Sequence, residues 1–189
     1  MMSERINQSG KLNGKQIFLT EDDPDLQSQV HAILEKQGAT VVSVGSYIEA
    51  KNVLENSGPF DVGIIDIRLP KTPEDGKKVQ NLLDEWVTLR REASNCAETS
   101  QSFDGIVHRM DTIQSDISNL VAPRAGLDLI KDIRRQGNSL PVLFLTGRQN
   151  EGTVREVEEL KPARLLVKPQ RAAKILDEIV ALLTPKSAV

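Results

Sequence analysis

The protein has 189 residues, of which 39% are hydrophobic and 27% are charged, a composition typical of a globular chain rather than a disordered one. Its 24 basic and 27 acidic residues leave a net charge of -3. Because a general nucleic-acid-binding surface needs an excess of positive charge, no nucleic-acid partner is expected.

The chain begins with a polar leader. Residues 1–14 lack the apolar stretch of a secretory signal, and we expect them to be disordered. No apolar run approaches the ~20 residues needed to span a bilayer, so no membrane partner is expected. The single cysteine, Cys96, excludes an internal disulfide and fits a reducing compartment. We therefore expect a cytoplasmic protein.

Short apolar runs alternate with helical patterns along most of the chain. We predict strands at residues 17–19, 41–44, 62–67, 142–145 and 165–167, each followed by an amphipathic helical pattern. This alternation indicates an α/β fold, a parallel sheet wrapped by helices. The predicted domain comprises residues 15–70 and 124–184. Residues 185–189 form a short tail, and we expect no output domain after them.

The stretch between Pro70 and Gly126 interrupts this alternation. Residues 79–93 and 103–120 carry amphipathic stripes in which apolar residues recur every three or four positions, and we expect no strand here. A continuous helix of about 45 residues would be near 65 Å long, at about 1.5 Å per residue. Since the chain must return to the sheet, we predict that residues 71–123 form an antiparallel helical hairpin.

Five polar residues follow the predicted strands. Glu21 and Asp22 come after the first, Asp66 ends the third, Thr146 ends the fourth and Lys168 ends the fifth. The carboxyl ends of parallel strands lie at one edge of the sheet, so these side chains should converge. Three carboxylates at close range repel one another, and they either take up protons or bind a cation. Hard oxygen ligands suit Mg²⁺, or Mn²⁺, which would draw in a phosphoryl group for one carboxylate to attack.

Four segments resemble the diagnostic segments of response regulator receiver domains. They are KQIFLTEDDP at residues 15–24, DVGIIDIRLP at 61–70, LFLTG at 143–147 and VKP at 167–169, and GLDLI at 126–130 resembles the start of the third helix of that family. The resemblance covers residues 15–70 and 124–184, in order and with ordinary spacing. It implies a doubly wound, five-stranded, flavodoxin-like sheet in a stand-alone receiver that carries a helical insertion.

The resemblance also implies a role for each matching residue. Asp66 would be the phosphoacceptor, and Glu21, Asp22, Asp66 and the backbone carbonyl of Arg68 would hold the Mg²⁺ ion. Thr146 would sense the phosphoryl group, and Lys168 would bind it, with a cis peptide bond before Pro169. The phosphoryl donor would be a histidine kinase or a phosphotransfer protein.

Two features depart from the family pattern. Leu165 occupies a switch position that is usually aromatic, which puts the usual aromatic rotation coupled to Thr146 in doubt. Residues 71–125 correspond to nothing in the family.

Two functions are compatible with these features, and a third is disfavoured. The first is a phosphorylated receiver that signals to a downstream protein through protein contacts, catalysing nothing beyond its own phosphorylation and dephosphorylation. The second is a scaffold that acts through the insertion independently of phosphate. A related metal-dependent phosphatase is disfavoured, because the second acid it needs two residues after the nucleophile is replaced by Arg68.

For the insertion we expect self-association into a four-helix bundle. The alternative is that the hairpin packs on the receiver of its own chain.

Overall fold

The computed structural model describes residues 10–95, 101–147 and 150–184. Most of the expected leader, residues 1–9, and the expected tail, residues 185–189, lie outside the described residues. Residues 10–14 belonged to the predicted leader, but here they form a turn in which Leu12 is fully buried and its amide donates to the Gln37 carbonyl. The packed structure therefore extends further toward the N-terminus than the boundary expected at residue 15.

A five-stranded parallel sheet forms the centre of the fold. Its strands are β1 (Gln16–Thr20), β2 (Thr40–Val44), β3 (Val62–Asp66), β6 (Val142–Thr146) and β7 (Ala163–Val167), in the spatial order β2-β1-β3-β6-β7. The central strand β3 is buried along its whole length, as its apolar sequence requires in a sheet covered on both faces. The predicted doubly wound parallel sheet is confirmed.

Five helices cover the two faces of the sheet: α1 (Pro24–Lys36), α2 (Tyr47–Asn56), α5 (Ala125–Arg135), α6 (Glu151–Glu159) and α7 (Ala172–Leu183). Local sequence explains several of their ends. Asp23 caps α1 by accepting the Asp25 and Leu26 amides, and the caps of α2 and α6 are Ser46 and Asn150. The two apolar clusters that result, one on each side of the sheet, fix the positions of the strand ends.

The segment between β3 and α5 forms the predicted helical hairpin. Helix α3 (Pro73–Asn95) and helix α4 (Gln101–Leu120) run antiparallel, with Glu85 paired to Arg109 at 2.7 Å. The main contacts of the two helices are with each other and with the short strands at their base.

The expectation that the insertion has no strand was wrong. Strands β4 (Leu69–Pro70) and β5 (Val121–Ala122) pair antiparallel, Leu69 with Ala122 and Pro70 with Val121, and close the base of the hairpin. Each strand has two residues, which is too short to produce a pattern in the sequence. The pairing exists because the hairpin brings the two ends of the insertion side by side.

Candidate functional site

The candidate site lies at the carboxyl edge of the sheet, between β1 and β3. The chain leaves β1 toward β2 on one side and returns to β3 on the other, so the helices that follow the two strands lie on opposite faces and leave a crevice. Glu21 and Asp22 follow β1 directly, and Asp66 is the last residue of β3. The apolar strands behind these residues hold their carboxylates at one place.

Three carboxylates form a compact cluster. Oxygen atoms of Glu21, Asp22 and Asp66 all lie within 4.8 Å of one another. Glu21 is 1% exposed and Asp66 is 5% exposed, while Asp22 is half-buried. Negative charges held this close and this deep are costly unless a proton or a cation compensates them.

Lys168 supplies one such cation. Its Nζ atom lies 2.6 Å from Asp66 Oδ2 and donates to Glu21 Oε1 at 2.7 Å. The backbone places it, because the Lys168 amide donates to the Thr146 carbonyl at 2.7 Å, and the Lys168–Pro169 peptide bond is cis, as expected. One ammonium group against three carboxylates still leaves an excess of negative charge.

That excess appears in the acid–base properties of the cluster. Burial, followed by the charge of Asp66, raises the pKa of Glu21 to about 8. The same two causes, in the same order, raise the pKa of Asp22 to about 6. Burial alone would lower the pKa of Lys168, but the carboxylates of Asp66 and Glu21 outweigh it and the pKa is raised. The cluster therefore attracts positive charge beyond what Lys168 provides.

The donor set fits a divalent cation. Glu21 Oε2 is buried and accepts no well-directed hydrogen bond within the described residues, although Lys168 Nζ lies 2.6 Å away. Asp22 is open to solvent on one side, which leaves room for water ligands. Carboxylate oxygens completed by water are what Mg²⁺ and Mn²⁺ prefer.

Gly126, at the start of α5, packs directly against the backbone at the end of β3. A Cβ atom on this residue would lie 2.1 Å from the Asp66 carbonyl oxygen and 2.8 Å from Ile65 Cγ2. Its amide donates to the Ile67 carbonyl at 3.0 Å. In the sequence, Gly126 stands out only through the family resemblance of residues 126–130, whereas the close approach of the two backbones is what requires glycine there.

Comparisons with solved structures identify the fold. A CheY-like response regulator receiver domain from Methanospirillum hungatei JF-1 superimposes with a TM-score of 0.57 and 16% identity, over 89% of this chain and 93% of that one. A two-component response regulator from Clostridium difficile gives a TM-score of 0.57 and 14% identity, over 89% and 95%. The protein has the fold of a response regulator receiver domain.

Sequence similarity to a curated protein covers a shorter stretch of the chain. Sensor protein TorS of Escherichia coli (strain K12) is 37% identical over 65 residues, which are 34% of this chain. The chain spans only 7% of the length of that curated relative. No protein-family model matches.

The remaining predicted site residues lie on β6, on β7 and directly after β3. Thr146 is buried at the end of β6, next to β3 in the sheet. The Arg68 amide donates to Asp66 Oδ1 at 3.1 Å, which places the β3–β4 connection against the carboxylate; the metal contact expected of its carbonyl stays a prediction. Leu165 is half-buried on β7, where it lies in register with Phe144.

Within the three described ranges, no helix is both long and apolar enough to cross a bilayer.

Proposed function

We propose that the protein is a phosphorylated signalling receiver in which Asp66 accepts a phosphoryl group from a histidine kinase or a phosphotransfer protein. The single observation that supports this proposal is the position of the Asp66 carboxylate. It lies within 4.8 Å of two further carboxylates on one side and 2.6 Å from the Lys168 ammonium group on the other.

Each neighbour of Asp66 then has a task. A carboxylate oxygen of Asp66 attacks phosphorus, the bond from phosphorus to the donor nitrogen breaks, and an acyl phosphate remains on Asp66. Lys168 is close enough to transfer its ion pair from the Asp66 carboxylate to the phosphoryl oxygens, and Thr146 lies on the neighbouring strand. Glu21, Asp22, Asp66 and the Arg68 carbonyl are the proposed ligands of Mg²⁺ or Mn²⁺, which when bound neutralises phosphoryl charge.

Substitution of Asp66 tests the proposal. We expect Asp66→Asn to abolish phosphorylation by acetyl phosphate in Mg²⁺, measured as the gain of one phosphoryl group in the intact mass, with an unchanged circular dichroism spectrum. A folded Asp66→Asn protein that is labelled at the wild-type rate would overturn the assignment.

Asp23 offers a matched control. It is the third acid of the same run, but its side chain caps α1 by accepting the Asp25 and Leu26 amides. Asparagine caps helices as well as aspartate does, so Asp23→Asn removes a nearby negative charge without loss of the cap. We expect this variant to be phosphorylated like the wild type.

The hairpin supports a second candidate function, a scaffold that acts independently of phosphate. Its apolar side chains Leu83, Val87 and Val107 are exposed and available for protein contacts.

Trp86, the only tryptophan, lies in α3 beneath the Arg90 guanidinium, so its fluorescence reports on the hairpin. A titration with beryllofluoride and Mg²⁺ that changes Trp86 fluorescence supports the switched receiver. Binding detected by calorimetry without any change at Trp86 favours the scaffold.

A further inference from the structure

One face of the hairpin carries an apolar patch. Leu83 and Val87 on α3 are 41% and 43% exposed, and Val107 on α4 is 39% exposed. These are three of the four large apolar side chains that are most exposed within the described residues; the fourth, Ile48, lies on α2. Leaving such a patch in water is unfavourable, and patches of this kind mark interaction surfaces.

The hairpin's own pairing shows that the three side chains are contiguous. Glu85 lies opposite Arg109, and Lys71 Nζ donates to the Asn119 carbonyl at 3.0 Å, so Val107 lies at the level of residues 83–87. Leu83 and Val87 are each two residues from Glu85, and Val107 is two residues from Arg109. Two residues turn an α-helix by about 200°. The Glu85–Arg109 ion pair therefore lies on one face of the hairpin. The apolar patch lies on the opposite face, which is hereafter called the open face.

Charged residues line the two edges of the open face with opposite sign. Lys77, Asp84 and Arg91 follow one another at seven-residue spacing along α3 beside Val87, giving two bases and one acid. Asp104 and Asp111, also seven residues apart, follow α4 beside Val107. Seven residues make nearly two full turns, so each set stays on one edge of its helix.

These edge charges are available for a partner. Asp84 accepts a hydrogen bond from Gln80, whereas Lys77, Arg91, Asp104 and Asp111 are exposed and form no ion pair within the described part of the chain. A second copy can be rotated by 180° about an axis that is parallel to the helices and lies between the two copies. Its acidic edge then lies against the basic edge of the first copy, and its basic edge against the acidic edge.

We propose that the open face binds the open face of a second copy of this protein, forming a four-helix bundle in which α3 of each copy lies against α4 of the other. In this arrangement Arg91 faces Asp104 of the second copy and Lys77 faces Asp111 of the second copy. Along the helix axis, the two members of each pair lie within about one helical turn of each other. All neighbouring helices are antiparallel, as in simple bundles, and both receiver bodies lie at the same end.

The size of the open face is sufficient for a specific dimer. Helices of 23 and 20 residues are about 30 Å long, and two of them side by side are about 20 Å wide. Two such faces bury roughly 1,200 Å² in total, the lower end of the range for stable specific interfaces. The proposal does not depend on phosphorylation of Asp66.

Sedimentation velocity of the full chain tests the proposal, with and without beryllofluoride and Mg²⁺. We expect a dimer at high micromolar concentration and a monomer for Val87→Glu, because a charge would be buried at the centre of the interface. Thr88→Glu is the matched control: it adds the same charge at the next position, which points away from the open face, and should leave the dimer intact. Circular dichroism verifies that both variants keep their helices.

Charge reversal tests the pairing of α3 with α4. Asp104→Lys with Asp111→Lys makes both edges basic, and Lys77→Glu with Arg91→Glu makes both edges acidic, so each double variant alone should be monomeric. An equimolar mixture should form a heterodimer, detectable by native mass spectrometry. A wild-type protein that stays monomeric in both conditions, a dimer that persists in Val87→Glu, or double variants that still dimerise alone would each overturn the proposal.

Discussion

At the scale of a single residue, Gly126 packs against the backbone of Asp66. We predict that Gly126→Ala lowers the free energy of unfolding by about 1–3 kcal/mol, because the added methyl group must push α5 away from the end of β3. The same displacement should slow the phosphorylation of Asp66 by acetyl phosphate. Urea unfolding and intact-mass kinetics measure the two effects.

Gly105 provides the control for this substitution. It lies on the exposed side of α4, and a Cβ atom there would meet no other atom within 4 Å. Gly105→Ala should therefore stabilise the protein by about 0.5–1 kcal/mol, the usual gain from alanine in a helix. A Gly126→Ala protein that gains stability in the same way would show that the close approach of α5 to β3 is unimportant.

At the scale of elements, the β4–β5 ribbon separates the hairpin from the receiver. Its paired residues Pro70 and Val121 are neighbours across an antiparallel ladder, about 5 Å apart. An Asn-Gly turn suits a two-residue connection of this kind. Such a turn should take over from the helices the role of holding the two ends of the insertion side by side.

Replacement of residues 71–120 by Asn-Gly should leave a folded receiver. The main contacts of α3 and α4 are with each other and with the β4–β5 ribbon. The two apolar clusters on the sheet therefore lose few of their packing contacts when the hairpin is removed. We expect cooperative thermal unfolding and phosphorylation in Mg²⁺ that still requires Asp66. Loss of cooperative unfolding would contradict the prediction and show that the hairpin completes the fold.

At the scale of the whole molecule, the acidic cluster links global stability to pH. The pKa of Glu21 is raised from 4.5 to about 8, so between these values the folded protein binds a proton that the unfolded chain has lost. This contribution to stability is fully present below pH 4.5 and is lost as the pH rises through about 8. The raised pKa of Asp22 makes a contribution of the same sign, which is lost as the pH rises from 3.8 to about 6. Carboxyl groups whose pKa is lowered, such as Asp61, change the stability of the protein only at more acid pH.

The metal-free protein should therefore become less stable as the pH rises across this window. Urea unfolding in a chelator, at a series of pH values, measures the slope. Glu21→Gln should flatten the slope above about pH 6, where Asp22 is already ionised. Excess Mg²⁺ should raise stability most at the alkaline end, because a cation binds the ionised carboxylates. A metal-free stability that rises with pH between these limits would contradict the account of the cluster.

Much of the fold and of the site was predictable from the sequence, since both depend on local patterns. Apolar runs of strand length specify the five strands, and the polar residues that end four of these runs must lie at the carboxyl edge of a parallel sheet. That rule alone brings Glu21, Asp22 and Asp66 together. The three- and four-residue periodicity of residues 79–93 and 103–120 specifies two helices, and the need to return to the sheet makes them a hairpin.

Tertiary structure decided the features that depend on contacts between distant segments. Two residues carry no periodicity, so β4 and β5 exist only because the hairpin aligns them. Leu12 is buried because residues 10–14 turn against the end of α1, and a single apolar residue in a polar stretch gives no sign of this. The register of α3 against α4 likewise decides that Leu83, Val87 and Val107 share one face, because the periodicity within each helix contains no information about its alignment with the other.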